Sequence, residues 1–205
     1  MNKELRAFDF EVRAEQNEEH GHFLTGQPIV YNEQTDMGWY DEIIDDGALA
    51  DTDLKDVRFL VNHNTDMIPL ARSRNNNTNS TMQLEVVPGA GMSIRVDLDT
   101  ENNADAKSLW SAVGRGDVSG MSFMFTVDKD AWENIDSEHP TRHIRSISKV
   151  FEVSAVTFPA YAATSIQQRG ISNALDSARE SLESVKAAAA EIEKRKQKIR
   201  ILCEV

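Results

Sequence analysis

Residues 82–98 read MQLEVVPGAGMSIRVDL, and their pattern decides the fold class. Two strand-like runs, Met82–Val87 and Met92–Leu98, flank Pro88-Gly89-Ala90-Gly91. In the second run Met92, Ile94, Val96 and Leu98 share one face, while Arg95, Asp97 and Asp99 share the other. A period of two on both sides of a Pro/Gly turn predicts an antiparallel hairpin with one face in a core.

The same period recurs outward in both directions. Residues 5–13 (LRAFDFEVR) alternate without Gly or Pro and predict an opening strand, with Phe8, Phe10 and Val12 on one face. Phe23-Leu24 and Ile29-Val30-Tyr31 flank Gly26-Gln27-Pro28, a second strand broken by a bulge or turn. Residues 32–56 are acidic and turn-rich, with Trp39-Tyr40 and Ile43-Ile44 as anchors. Val57–Val61 is a compact apolar run ending in Asn62-His63-Asn64, and residues 73–81 (SRNNNTNST) read as an exposed loop. Beyond the hairpin, Ala106, Leu109, Trp110 and Val113 form one helical stripe, ended by Gly114 and Gly116. Ser119–Val127 (SGMSFMFTV) alternates again, residues 128–141 read as a charged loop, and His143–Val150 and Val153–Phe158 read as two further strands. Many strands and one helix before residue 114 predict a mainly β chain with flanking helices (α+β), as a mostly antiparallel sheet or closed barrel.

From Ile171 the period changes. Ile171, Leu175, Ala178, Leu182, Val185, Ala189, Ile192 and Ile199 follow alternating spacings of four and three, interrupted by Lys196. This is an amphipathic helix, either lying on the body or self-associating through residues 171–202 as a coiled coil. The division expected is a β domain over residues 1–165 and a helical tail over 166–205. Charge divides similarly. Of the net −12, residues 170–205 hold seven Lys/Arg and six Asp/Glu, a net of +1, which leaves −13 on residues 1–169.

An acidic body argues against nucleic-acid partners, whose phosphates need cations, and against docking on anionic lipid. No run approaches the roughly 20 apolar residues of a membrane helix, and the opening MNKELRAFDFEVRAE has no apolar signal region. The single cysteine, Cys203, excludes an internal disulfide framework and a multi-cysteine zinc site. His20-Gly-His22 after Glu18-Glu19 has metal-ligand chemistry but reads as solvated, so no metal and no cofactor is expected.

Three residues have chemistry the fold alone does not explain. His63 closes a buried strand, held in place yet near solvent. Ser122 faces away from Met121, Phe123 and Phe125, with Gly120 leaving room beside it. Glu152 is the one carboxylate in an apolar strand and needs a partner if buried. Each has an ordinary structural reading: a satisfied histidine, an inert strand serine, a solvent-facing acid.

Together the segments FLVNHN, PLARS, GRGDVSGMSF and FEVSAVTFPAYAATS, in this order after YDEIIDDGALA, resemble the prohead maturation serine proteases of tailed bacteriophages. The resemblance runs from about Tyr40 to Thr164. It implies the β-barrel shared with the herpesvirus assembly proteases, and it implies a serine endopeptidase with His63 as general base, Ser122 as nucleophile and Glu152 as third member. His143 and Asp128 compete for the third place. The family often has Gly where this chain has Ala71 and Met124. An oxyanion hole is expected near Ala160-Tyr161. The resemblance further implies that the substrate and partner is scaffold or the scaffolding arm of the major capsid protein, and the chain itself, inside a prohead in the host cytoplasm. The alternatives are a catalytically inactive structural module of capsid assembly and another Ser/His/Glu hydrolase such as an esterase. Against the latter stands the absence of a G-x-S-x-G elbow.

Overall fold

A computed structural model of the chain describes residues 3–8, 12–19, 21–135 and 137–158. Among them the fold is mainly β with one helix, in two sheets. The larger sheet has the order β1 (Lys3–Phe8), β10 (Gly120–Glu133), β11 (Thr141–Val156), β5 (Asp41–Ile44), β4 (Gln34–Asp36). In addition β6 (Asp56–Val61) pairs with β11, and β7 (Ala71–Arg74) pairs with β6. The smaller sheet runs β2 (Val12–Asn17), β3 (Gly21–Val30), β9 (Gly91–Leu98), β8 (Met82–Val87).

The hairpin forms as its pattern predicts, with Met82 opposite Val96 and Val87 opposite Gly91. Gly91 has φ +127°, and a Cβ there would lie 2.0 Å from the Ile29 carbonyl oxygen, so the approach of β9 to β3 requires glycine. The bulge at 26–28 is present as a register shift between Gly26 and Ile29. The helix α1 (Ala104–Gly114) buries Ala106, Leu109 and Val113. Asn103 caps it, its side-chain oxygen accepting the N–H groups of Asp105 and Ala106.

Several expectations change. The opening strand is two strands in different sheets, β1 and β2. Strand β10 continues to Glu133, so the charged loop shrinks to the turn before Thr141, and residues 73–74 belong to β7. The two segments after residue 143 are one strand of 16 residues, β11. Successive register shifts between Met124 and Asp130 break the alternation there, which is how Ile144 and Ile147 are both buried. The described strands do not close into a single hydrogen-bonded ring, so the closed antiparallel barrel gives way to two sheets. Nor is the pairing all antiparallel: β11 pairs in parallel with β5 through 141–144 and with β6 through 152–155. Chain neighbours announce antiparallel hairpins; these parallel partners are about a hundred residues away, beyond any local pattern. The helical tail expected at 166–205 lies outside the described residues.

The core lies between the sheets. Leu24, Ile29, Met82, Met92 and Val96 come from one side, and Phe59, Phe123, Phe125, Ile144 and Val153 from the other. Beside it sits a buried ionic cluster. The Arg6 Nη2 donates to Glu4 Oε2 and to Glu42 Oε2, both at 2.6 Å, and its Nε pairs with Glu42 Oε1. Arg142 donates to Glu4 at 2.7 and 3.0 Å, to Glu42 at 3.1 Å and to Asp130 at 2.8 Å. These contacts fasten β1 to β5 and β11. Burial raises the Glu4 carboxyl, but Arg6 and Arg142 outweigh it and hold that group below the usual range. Burial opposes the charges on Arg6 and Arg142 as well, yet their acidic partners hold both above their ordinary value. Next to the cluster, burial pushes the Tyr40 hydroxyl up to about 12.

Removing one partner leaves an uncompensated buried charge. Glu42→Ala is therefore expected to cost about 3–5 kcal/mol, read by urea unfolding. Because Glu4 is depressed, its contribution is fully present above the unfolded value of about 4.3. It is lost as pH falls through the lower folded value. Urea midpoints measured on acidification should drop across that window, and less so in Glu4→Gln.

Candidate active site

Strand β6 ends at Val61, and the chain then turns with two successive left-handed residues, Asn62 (φ +51°) and His63 (φ +56°). Such a conformation costs a non-glycine residue roughly 1–2 kcal/mol, so the turn must be held. The Asn62 N–H donates to Ala155 O at 3.0 Å, and its side-chain oxygen accepts from the Thr157 N–H at 3.0 Å and the Thr157 hydroxyl at 2.9 Å. The His63 N–H donates to Ser154 Oγ at 3.1 Å. The turn is thus fastened to the end of β11 on both sides.

This places the imidazole over Glu152. His63 Nδ1 lies 2.5 Å from Glu152 Oε1, and the two side chains are only 12% and 4% exposed. A carboxylate accepts only, so Nδ1 is the donor in this contact, and in a neutral imidazole Nε2 is then the acceptor. The second oxygen, Glu152 Oε2, accepts from the Ser154 hydroxyl at 2.5 Å. Glu152 is therefore a buried acid with both oxygens engaged, not a solvent-facing one.

Ser122 lies on the same face. Its ladder partner across β10–β11 is Ser154, and Met124 opposes Glu152. Directly opposed residues have Cβ atoms about 4.5–5.5 Å apart on one side of a sheet. Ser122 is fully buried, and its hydroxyl donates to the Arg6 carbonyl of the adjacent β1 at 2.7 Å. Its neighbours Met121, Phe123 and Phe125 point into the core.

The two competing residues lie elsewhere. His143 opposes Ala131 and Ile43, nine positions from Glu152, or roughly 30 Å along a strand. It bonds Asp45 at 2.7 Å. Asp128 takes a 3.5 Å contact from Ser146. The pair around Ala160-Tyr161 named for an oxyanion hole lies outside the described residues. Ser154 and Asn62 were not singled out in the sequence. The one available signal was the spacing Glu-x-Ser, which puts two polar side chains on one face of an apolar strand.

Of the two early histidines, His22 bonds Thr100 Oγ1 at 2.5 Å and packs against Trp110, while His20 lies outside the described residues. Among the described residues, Asp36, Asp41 and His139 bring ligand atoms within 4.8 Å of one another, next to the Trp39 and Trp132 end of the sheet. Two of the three are exposed.

If the side chain of Asn62 holds the turn, Asn62→Ala should cost about 1–2 kcal/mol in urea unfolding, from the lost bonds and the left-handed backbone. Asn62→Gly, which relieves the backbone, should cost less.

Comparison with known proteins adds one finding to this geometry. No curated protein and no solved structure matches the chain. A family model does, over residues 8–177, and its description is Caudovirus prohead serine protease. That span contains His63, Ser122, Ser154 and Glu152 and most of the chain. A buried Ser/His/Glu face within such a match is consistent with a serine hydrolase, and the chain belongs to the Caudovirus prohead serine protease family.

Proposed function

We propose that the protein is the endopeptidase of phage prohead maturation, with Ser122 as nucleophile, His63 as general base and Glu152 as the acid that orients it. The observation that carries this reading is the 2.5 Å contact of His63 Nδ1 with Glu152. It fixes the tautomer in which Nε2 accepts a proton, and a buried carboxylate there stabilises the imidazolium formed during acyl transfer.

The steps follow from the groups present. Ser122 attacks the scissile carbonyl while His63 Nε2 takes its proton, giving a tetrahedral intermediate. His63 then protonates the leaving amine, and the acyl-enzyme forms. Water attacks next with His63 again as base, releasing the new carboxyl end and free Ser122. In the described state the Ser122 hydroxyl donates to the Arg6 carbonyl. A neutral hydrogen bond of this kind is worth roughly 0.5–1.5 kcal/mol net, so turning the hydroxyl toward His63 adds little to the barrier. Opening the covered face to substrate is the larger requirement, since Ser122 has no exposed surface.

Within the family's role, the substrates are scaffold or the scaffolding arm of the major capsid protein, and the chain itself. The place of action is the assembling prohead in the host cytoplasm. Residues 166–205 serve as a separate helical tail that tethers the enzyme to scaffold or to a second copy through 171–202, which raises local concentration. A second reading has one observation in its favour: a fully buried serine satisfied by a backbone carbonyl is what a structural serine shows. On that reading the chain is a catalytically inactive module of capsid assembly.

Co-expression with the major capsid protein and scaffold, followed by intact-mass spectrometry, separates the two. Discrete cleavage products are expected with the wild type and none with Ser122→Ala or His63→Ala. Glu152→Gln should slow cleavage by as much as about 10⁴-fold, the scale of an orienting carboxylate. Absence of products with the wild type would favour the inactive module. Deleting the residues after Gly170 should leave cleavage intact and reduce recovery of the protein in proheads.

A further inference from the structure

We propose that Ser154 is a positioning residue of the catalytic apparatus, its single hydroxyl setting both the backbone of His63 and the carboxylate of Glu152. The inference rests on the reading of Ser122, His63 and Glu152 given above. It goes beyond that reading by adding a fourth residue and assigning it a task.

A serine hydroxyl has one proton and two lone pairs. In Ser154 the proton goes to Glu152 Oε2 at 2.5 Å, and a lone pair receives the His63 N–H at 3.1 Å. Glu152 then has one oxygen on the serine and the other on the imidazole. The ring made by Ser154 Oγ, the His63 main chain, the His63 imidazole and the Glu152 carboxylate closes on itself. Neither the carboxylate nor the imidazole can rotate without breaking a bond in it. All of this is sequestered: Ser154 has no exposed surface and Glu152 is 3% exposed, so water is a poor substitute for a lost partner.

The ring also explains how a histidine keeps φ +56°. The N–H that such a turn leaves without a ladder partner is the one that Ser154 accepts. Finally, Ser154 is the direct cross-strand partner of Ser122. The residue that orients the base thus lies beside the nucleophile, on the strand that also carries the acid. A serine retained only for packing would need none of these three relations.

The test is nucleophile reactivity, which needs no knowledge of the natural substrate. The full-length protein is treated with a fluorophosphonate probe. The Ser122 oxygen forms a bond to phosphorus, fluoride leaves and the serine proton passes to His63. Intact mass then follows labelling, separating the limiting rate from the probe's apparent affinity. In parallel, NMR of protein with ¹⁵N-labelled histidine observes the hydrogen-bonded Nδ1 proton of His63. Ser154→Ala is expected to lower the limiting rate by about 10²-fold, the scale of a small misplacement of a catalytic group. Probe affinity should be unchanged and the Nδ1 proton signal should be lost or shifted. Ser154→Thr keeps the hydroxyl and should recover most of the rate.

Wild-type rate and an unchanged Nδ1 signal in folded Ser154→Ala would overturn the proposal. So would a loss of rate that Ser154→Thr, folded, fails to recover. If Ser154→Ala does not fold, Ser154→Cys fills the site with a poor donor and carries the same test: a slow limiting rate supports the role, and wild-type rate overturns it. Ser122→Ala separates this from the underlying reading. If labelling persists there, the assignment of Ser122 is wrong and the role of Ser154 falls with it. If labelling is lost there while Ser154→Ala reacts normally, only the present inference fails.

Discussion

The four-residue parallel ladder between β6 and β11, from Glu152 opposite Arg58 to Ala155 opposite Val61, is the contact on which the site depends. It sets where β6 stops relative to Glu152, and therefore where the next two residues turn. A slip of one residue would carry Glu152 and Ser154 to the other face of the strand, where Val153 now sits in the core. Phe59 and Val57 on one side and Val153 and Ala155 on the other resist that slip, because each would exchange a buried for a polar position. Apolar burial thus fixes the polar geometry: the hydrophobic period of two strands decides which side chains meet above the sheet.

A second constraint operates through β1. Its carbonyl at Arg6 accepts the Ser122 hydroxyl, and the side chain of the same residue lies at the centre of the buried ionic cluster. The cluster fastens β1 to β5 and β11 with charges that are costly to desolvate and strongly destabilising to leave unpaired. Buried ion pairs of this kind add little net stability over apolar packing. Their effect here is positional: β1 is held in one register on β10, with Ala7 opposite Ser122. The state so fixed keeps Ser122 covered, with its hydroxyl turned to the backbone.

Much of this was legible in the residues. The 82–98 hairpin, the bulge at 26–28, the helix with its apolar stripe and the strand delivering His63 each follow from a local period or a turn residue. The order of short segments around His63, Ser122 and Glu152 carried the family, because each group stands in a recognisable strand. What the local pattern misread has a common physical origin. A charged stretch such as 128–133 looks like a loop when judged by polarity alone, yet it is a strand because β11 pairs with it on one edge while Asp128, Lys129 and Glu133 are exposed and Trp132 packs against Trp39 and Tyr40. The bulges around Thr126–Asp130 hide the continuity of β11 by breaking its alternation.

By itself, then, the sequence determined the β class, the 82–98 hairpin, the helix with its apolar stripe and the choice of His63, Ser122 and Glu152 as candidates, since these depend on periodicity, turn chemistry and residue type within a few positions. Tertiary structure alone decided that Glu152, not His143 or Asp128, meets His63, that Ser154 joins them, and that Ser122 rests on Arg6. Those contacts span 89 and 116 positions between His63 and Glu152 and between Arg6 and Ser122. They exist because strand pairing, parallel between β6 and β11 and antiparallel between β1 and β10, and core burial bring distant strands into one register, and no local pattern encodes which distant strand will be the neighbour.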